Sequence, residues 1–179
     1  MHRFAIIPTI DIWWKTALAN NSITVFHFPP GRNPQISNLA KNDICFIELY
    51  DKGVFTGSFR VKHVCKVSGD VFRQKYANRA FEVERARFPK SNETCWIIEF
   101  ERSSLHEFPI AVDIWLVDKL YHKITDKHLL IGRAMEYSLD KEEYLILFSI
   151  LMFLGNVPIR RFSYTKELEQ GIISFNIHL

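Results

Sequence analysis

The sequence predicts an α+β fold, a single domain over residues 1–179, and three observations carry that expectation. Short runs with period-two alternation recur along the chain, as in half-buried strands. One apolar run, "SLDKEEYLILFSILMFLGNVP", instead has the caps and length of a helix. No repeat, low-complexity tract or linker divides the chain.

Phe4 to Pro8 reads as the first strand. Asp11 has the side chain to cap a short helix, in which Trp14, Ala17 and Leu18 fall at i, i+3, i+4 and form an inward face. Trp13 lies about 100° round from Trp14, at the edge of that face. Asn20 and Asn21 suit the helix exit, and Ser22 to Phe28 is a second strand ended by "PPG". In "ISNLAKNDICFIELYDKGVFTGSFRVKHVCKV" a short helix or turn precedes a strand from Ile44 to Tyr50. An Asp-Lys-Gly turn follows, with the glycine that a hairpin needs at positive φ. A long strand then runs from Val54 to Val67. Phe55, Gly57, Phe59, Val61, His63, Cys65 and Val67 fall on its inner side. Thr56, Ser58, Arg60, Lys62 and Lys66, with Val64, make a basic outer face.

Residues 69–90 are charged and lack a strand period; Asp70 is placed to cap a helix there, bounded by Pro89. Cys95 to Glu101 alternates, with Trp96, Ile98 and Phe100 inward. Phe108 to Ile114 is a further strand, and 115–131 reads as mixed short helix and loop, with Trp115 packed at the core. Asp140 and Glu143 have capping-box spacing, Gly155 suits the C′ position, and Pro158 stops any continuation. The tail "IISFNIHL" alternates and predicts a final strand, so 157–179 reads as a C-terminal extension of the same domain.

Apolar residues make up 47% of the chain and charged ones 24%, an ordinary globular balance with core enough for one domain. A net charge of +3 permits an anionic partner without demanding one. Three widely spaced cysteines, Cys45, Cys65 and Cys95, argue for free thiols rather than a disulfide framework. The N-terminus has no cleavable signal pattern, and the run from Tyr144 to Leu154 is too short to cross a bilayer. A soluble, cytoplasmic protein with no membrane partner is the expectation.

The motifs of nucleotide-binding, metalloprotease, serine-hydrolase and CxxC chemistry are absent. No cofactor and no metal are therefore expected. His63 and Cys65 share one strand face and read as core residues, since no second pair of ligands accompanies them. Glu82/Glu84 and Glu99/Glu101 read as solvated pairs. The basic residues say more. Arg60 and Lys62 stand on one strand face, and Arg73, Lys75, Arg79, Arg85 and Arg87 crowd the segment after it, beside Phe72 and Tyr76. Cations that track phosphates and rings that stack bases suit single-stranded nucleic acid. A solvated helix neutralised by its own glutamates is the plainer alternative. Trp13 likewise has two readings, a rim-of-core residue against Ala17 and Phe26 or a base-stacking platform.

The order strand, Trp-containing helix, strand, then "LAKNDICFIELYDKGVFTGSFRV" resembles the PUA-like superfamily, in particular its EVE and ASCH branches. Leu39 to Asp43 stands for the "lkxGD" turn, Ile44 to Tyr50 for the strand ending in an aromatic, and Val54 to Val61 for "gxvGxxxV". "WIIEFE", "FPIAVDI" and "LIGRAMEYSLDKEEYLILFSIL" are similar to the later strands and closing helix. Asn42 replaces the usual glycine, tolerable because Asn adopts positive φ. The form is also similar to an archaeal group of PUA-like proteins without an assigned biochemical role. The resemblance implies a PUA-like mixed β-barrel with short helices covering its ends. It further implies RNA binding, in some branches through an aromatic pocket for a modified base. That pocket would lie between the first helix and the strand ending at Tyr50. Trp13, Trp14, Phe26 and Tyr50 would line it, and Asn20, Asn21 or Ser22 would read the base edge.

Three functions follow as expectations. The first is a non-catalytic RNA- or modified-nucleobase-binding domain using the aromatic pocket and the Arg60/Lys62 face. The second is a nucleotide or nucleic-acid hydrolase of ASCH-like type, with His27 or His63 beside a carboxylate as base. The third is a homodimeric interaction module using Leu145 to Leu154, in which Ile146, Ile150 and Phe153 would form a flat exposed patch.

Overall fold

The computed structural model describes residues 2–129 and 132–156. In chain order the elements are β1 (His2–Thr9), α1 (Asp11–Ala19), β2 (Val25–His27), β3 (Ile44–Leu49), β4 (Val54–Ser68) and α2 (Gly69–Lys75). They continue with β5 (Thr94–Phe100), β6 (His106–Asp113), α3 (Ile114–Thr125), β7 (Met135–Leu139) and α4 (Lys141–Gly155). Two single 3₁₀ turns, Ala77–Arg79 and Arg102–Ser104, interrupt the connections.

The α+β class holds: seven strands form one mixed sheet in the order β2-β5-β4-β3-β1-β7, with β6 pairing β4 beside that path. β1 runs parallel to β3 and antiparallel to β7, and a separate core covers each of its faces. That is why Phe4, Ala5, Ile6 and Ile7 read as an unbroken apolar run rather than an alternating one. Phe4 and Ile6 face a core under α3 and α4, while Ala5 and Ile7 face a second core under α1. The sheet is not closed into a barrel. β2 and β7 do not pair; the gap is spanned by the segment after β2, whose Gln35 bridges to Met135.

α1 sets the site's back wall. Trp13, Trp14 and Ala17 are its buried residues. Trp14 lies so close over β4 that a Cβ on Gly57 would fall 2.4 Å from its ring. Gly57 is there to admit an indole. The C-terminal end of α1 is held by Arg102, whose guanidinium donates to the Ala17 carbonyl, to the Leu18 carbonyl at 2.8 Å and to Asn21 Oδ1 at 2.9 Å.

Several local expectations are corrected. Asp11 does not cap α1: Ile10 occupies that position, and the Asp11 carboxylate pairs with Lys15 at 2.6 Å and Lys52 at 3.0 Å. Ser68, not Asp70, caps α2, which ends at Lys75 instead of running towards Pro89. Asn156, not Gly155, takes the left-handed position after α4, while Asp140 caps it by accepting from Glu143 N at 2.8 Å. β4 has a register shift between Val61 and His63, so Lys62 and His63 are both exposed and His63 is no core residue. Thr56 and Ser58, expected on the outer face, are buried, and Ser58 Oγ lies 3.2 Å from His106 Nε2 on β6. The basic outer face is therefore shorter than the alternation implies. Phe72 is fully buried, and Trp115, expected at the core, is 65% exposed. Ile146 and Ile150 are buried in the α3–α4 core, which leaves Phe153 alone of that trio on the surface. The dimer patch expected on α4 is thus not formed. The final strand expected at Ile173 to Ile177 lies outside the described residues.

Candidate nucleic-acid interface

Where β2 and β7 fail to pair, a cavity of about 980 Å³ opens, at the upper end of the range that holds drug-sized ligands. Its wall is assembled from separate parts of the chain. Pro8, Thr9 and Ile10 come from the exit of β1, Trp13 from α1, and Phe26, His27 and Phe28 from β2 and its end. Tyr50 stands just past β3, Arg85 comes from the loop before β5, and Arg32 and Arg133 from the loops that meet across the gap.

The rings are ordered by burial. Trp13 is 2% exposed and meets Phe26 edge-on, with centroids 4.8 Å apart; Phe26 in turn meets Phe28 at 5.0 Å. Tyr50, 38% exposed, is the open ring. Arg85 donates to its hydroxyl at 3.0 Å and lies 5.9 Å from its ring centroid, a cation–π contact. The indole N–H of Trp13 and Nδ1 of His27 are both buried without a hydrogen-bond partner, an uncommon state for polar atoms in a finished core. His27 Nε2 stands 2.8 Å from the Ala86 carbonyl, so that nitrogen carries the proton. Burial holds the His27 imidazole below its usual pKa, in the neutral form.

The charge of the wall is one-sided. Arg32, Arg85 and Arg133 line it, and among the described residues no aspartate or glutamate does. None of the three forms a salt bridge among the described residues. A space lined by uncancelled guanidinium groups and low-dielectric rings attracts anions with a planar, apolar part.

The expected site residues separate into two groups. Trp13, Phe26 and Tyr50 line the cavity together. Trp14 stands behind them in the core, in contact with β4. Asn20, Asn21 and Ser22 lie at the far end of α1, outside the wall. Asn20 Oδ1 accepts from Ser22 N at 2.9 Å, Asn21 Oδ1 is taken by Arg102, and Ser22 is exposed. Arg60 and Lys62 lie along β4 and do not reach the cavity; Arg60 N donates to Ser104 Oγ at 2.8 Å. Sequence reasoning missed Arg32 and Arg133. Their only signal is an arginine following a glycine in a loop, "PGRNP" and "IGRAM". His27 lines the cavity; Glu82 lies near enough to act on its imidazole but is not in the wall, and His63 lies elsewhere, on β4. Among the described residues no three His, Cys, Asp or Glu side chains gather as a metal site.

The crystal structure of ASCH from Zymomonas mobilis superposes on 82% of this chain and 94% of its own, at a TM-score of 0.59 and 14% identity. This chain shares the fold of that ASCH protein. A mutant of the same Zymomonas protein gives TM-score 0.58 at 14% identity, covering 82% of this chain and 97% of that one. Human THYN1, in complex with 5-methylcytosine containing DNA, covers 83% and 96% at TM-score 0.49 and 10% identity, a likeness too slight to argue from. No protein-family model matches the chain, and no curated protein matches it significantly. Neither organism is archaeal, so an archaeal origin gains no support. In the terms of the ASCH-like fold, the cavity sits between the first helix and the end of the third strand.

Proposed function

We propose that the cavity binds a nucleobase presented by single-stranded RNA or a modified nucleoside, without catalysis. The observation that carries this reading is the wall itself: rings of Trp13, Phe26 and Tyr50 beside three arginines and, among the described residues, no carboxylate. A base stacked on an aromatic ring gains about 1–3 kcal/mol, and guanidinium groups at the rim hold the flanking phosphates. Trp13 and Phe26 form the deep apolar side, while Tyr50 is the ring a base can reach. The domain spans residues 1–179 in this reading, with 157–179 as its extension. A reducing cytoplasm suits it, since the three cysteines are free and two of them buried. No helix of the described residues is long and apolar enough to cross a membrane.

The test is direct binding of a panel of short single-stranded RNAs and free modified nucleosides, read by fluorescence of the tryptophans. Tyr50→Ala should weaken the best ligand by about 1–3 kcal/mol while leaving the thermal midpoint unchanged. If no RNA or nucleoside perturbs the protein, the reading is wrong.

A further inference from the structure

Glu48 lies in β3, where every residue is buried, and is itself only 1% exposed. A carboxylate taken out of water is costly unless donors replace the water. Among the described residues both oxygens accept from one backbone N–H, that of Gly132, at 3.0 and 2.9 Å. Burial pushes the Glu48 carboxyl above its usual range, and the Gly132 contact only partly offsets that. Such an arrangement is a poor way to gain stability. What it accomplishes is geometric. Gly132 has φ +76°, with open space where a Cβ would be, so the glycine is required by the turn and not by crowding. The next residue is Arg133, on the cavity wall, and the one after it, Ala134, accepts from Gln35 N at 3.2 Å. The loop is thus pinned on one side to the sheet interior and on the other to the segment that spans the gap.

Resting on the proposed base-binding role, we infer that Glu48 is the positioning residue that sets Arg133 on the cavity wall. It fixes the Gly132 turn from below, so that the guanidinium is held out to a ligand phosphate. Glu48 itself does not line the cavity. Its carboxyl stays beneath the wall, so the lining presented to a ligand keeps its arginines without an acid among the described residues.

Four full-length proteins test this: Glu48→Ala, Glu48→Gln, Arg133→Ala and the double variant Glu48→Ala/Arg133→Ala. Hydrogen exchange at the Gly132 amide, measured without ligand, should accelerate at least tenfold in Glu48→Ala. It should stay near wild type in Glu48→Gln, whose amide oxygen still accepts. With a mixed-sequence single-stranded RNA 12-mer, Glu48→Ala and Arg133→Ala should each weaken binding about five- to tenfold, the net size of one hydrogen bond at a site open to water. The double variant should be no weaker than Arg133→Ala. Additive losses, unchanged exchange at Gly132, or a Glu48→Gln protein as impaired as Glu48→Ala would each overturn the inference. If the wild-type protein holds no RNA, the proposed function fails, and Gly132 exchange alone decides whether Glu48 holds the turn. Glu48→Gln guards against misfolding of the alanine variant.

Discussion

Two neighbouring regions are built from the same residue types, arginines and aromatic rings, and only one has the makings of a site. On the shoulder formed by α2 and β5, Arg79 pairs with Glu99 at 3.0 Å and Arg87 with Glu93 at 2.5 Å. Arg87 draws the Glu93 carboxyl down to about 2. Arg73 there is spent on the Pro89 carbonyl and Ser91 hydroxyl, and Phe72 is fully buried against Tyr76 and Phe88. Across β2, at the cavity, Arg32, Arg85 and Arg133 have no acidic partner among the described residues, and the rings border open space. The difference is not composition. It is whether carboxylates arrive with the cations and whether the sheet closes over the rings.

Four measurements press on this contrast. The largest effect is expected at Trp13→Ala, which removes a ring 2% exposed and should cost about 3–5 kcal/mol of stability. Calorimetry checks this; a midpoint like wild type would mean that the ring is not part of the core. Next, removing all three cavity arginines (R32A, R85A, R133A) should weaken RNA binding roughly a hundredfold. It should also flatten the slope of log K against log salt by about 2, near 0.7 for each phosphate no longer neutralised. Salt titrations with an intact slope would exclude these residues from the interface. On the shoulder, Arg79→Ala should leave affinity alone and lower stability by only about 0.5 kcal/mol, the pair being partly exposed. A loss of RNA binding there would erase the contrast between the regions. The smallest effect concerns His27. Its pKa is lowered in the folded protein by burial, so the unfolded chain binds the proton more readily. The contribution is intact above about 6.5 and is lost as pH falls from there towards the lowered folded value. Urea midpoints from pH 7 to 5 should decline less in His27→Gln than in wild type.

Much of the scaffold was legible because its signals are local. The Asp140 cap, the apolar run of β3 and the inward pair Trp14 and Ala17 all follow from neighbours within one or two turns. What was illegible came from distant parts meeting. The register shift after Val61 exposes His63, which uninterrupted alternation had put inside. β7 was not separated from its surroundings: "MEYSL" alternates over only five residues, directly before the cap of α4, and gains its pairing from β1. Trp115 lies against Gly53, beside the β3–β4 turn, instead of entering the core. The rings of the cavity were legible because the Trp-containing helix and the aromatic end of β3 sit in recognisable order. Arg32 and Arg133 were not, because nothing in either loop states that the two segments will lie on opposite sides of an unclosed sheet.

The clamp of Arg102 on the end of α1 joins residues far apart in sequence, Arg102 and Leu18 being separated by 84 positions. The first helix therefore has its C-terminal end fixed only once the turn after β5 exists. A growing or truncated chain that stops short of residue 102 carries both indoles but lacks the clamp on the end of the helix that bears them. Recognition here is a late product of folding, and no N-terminal fragment should inherit it.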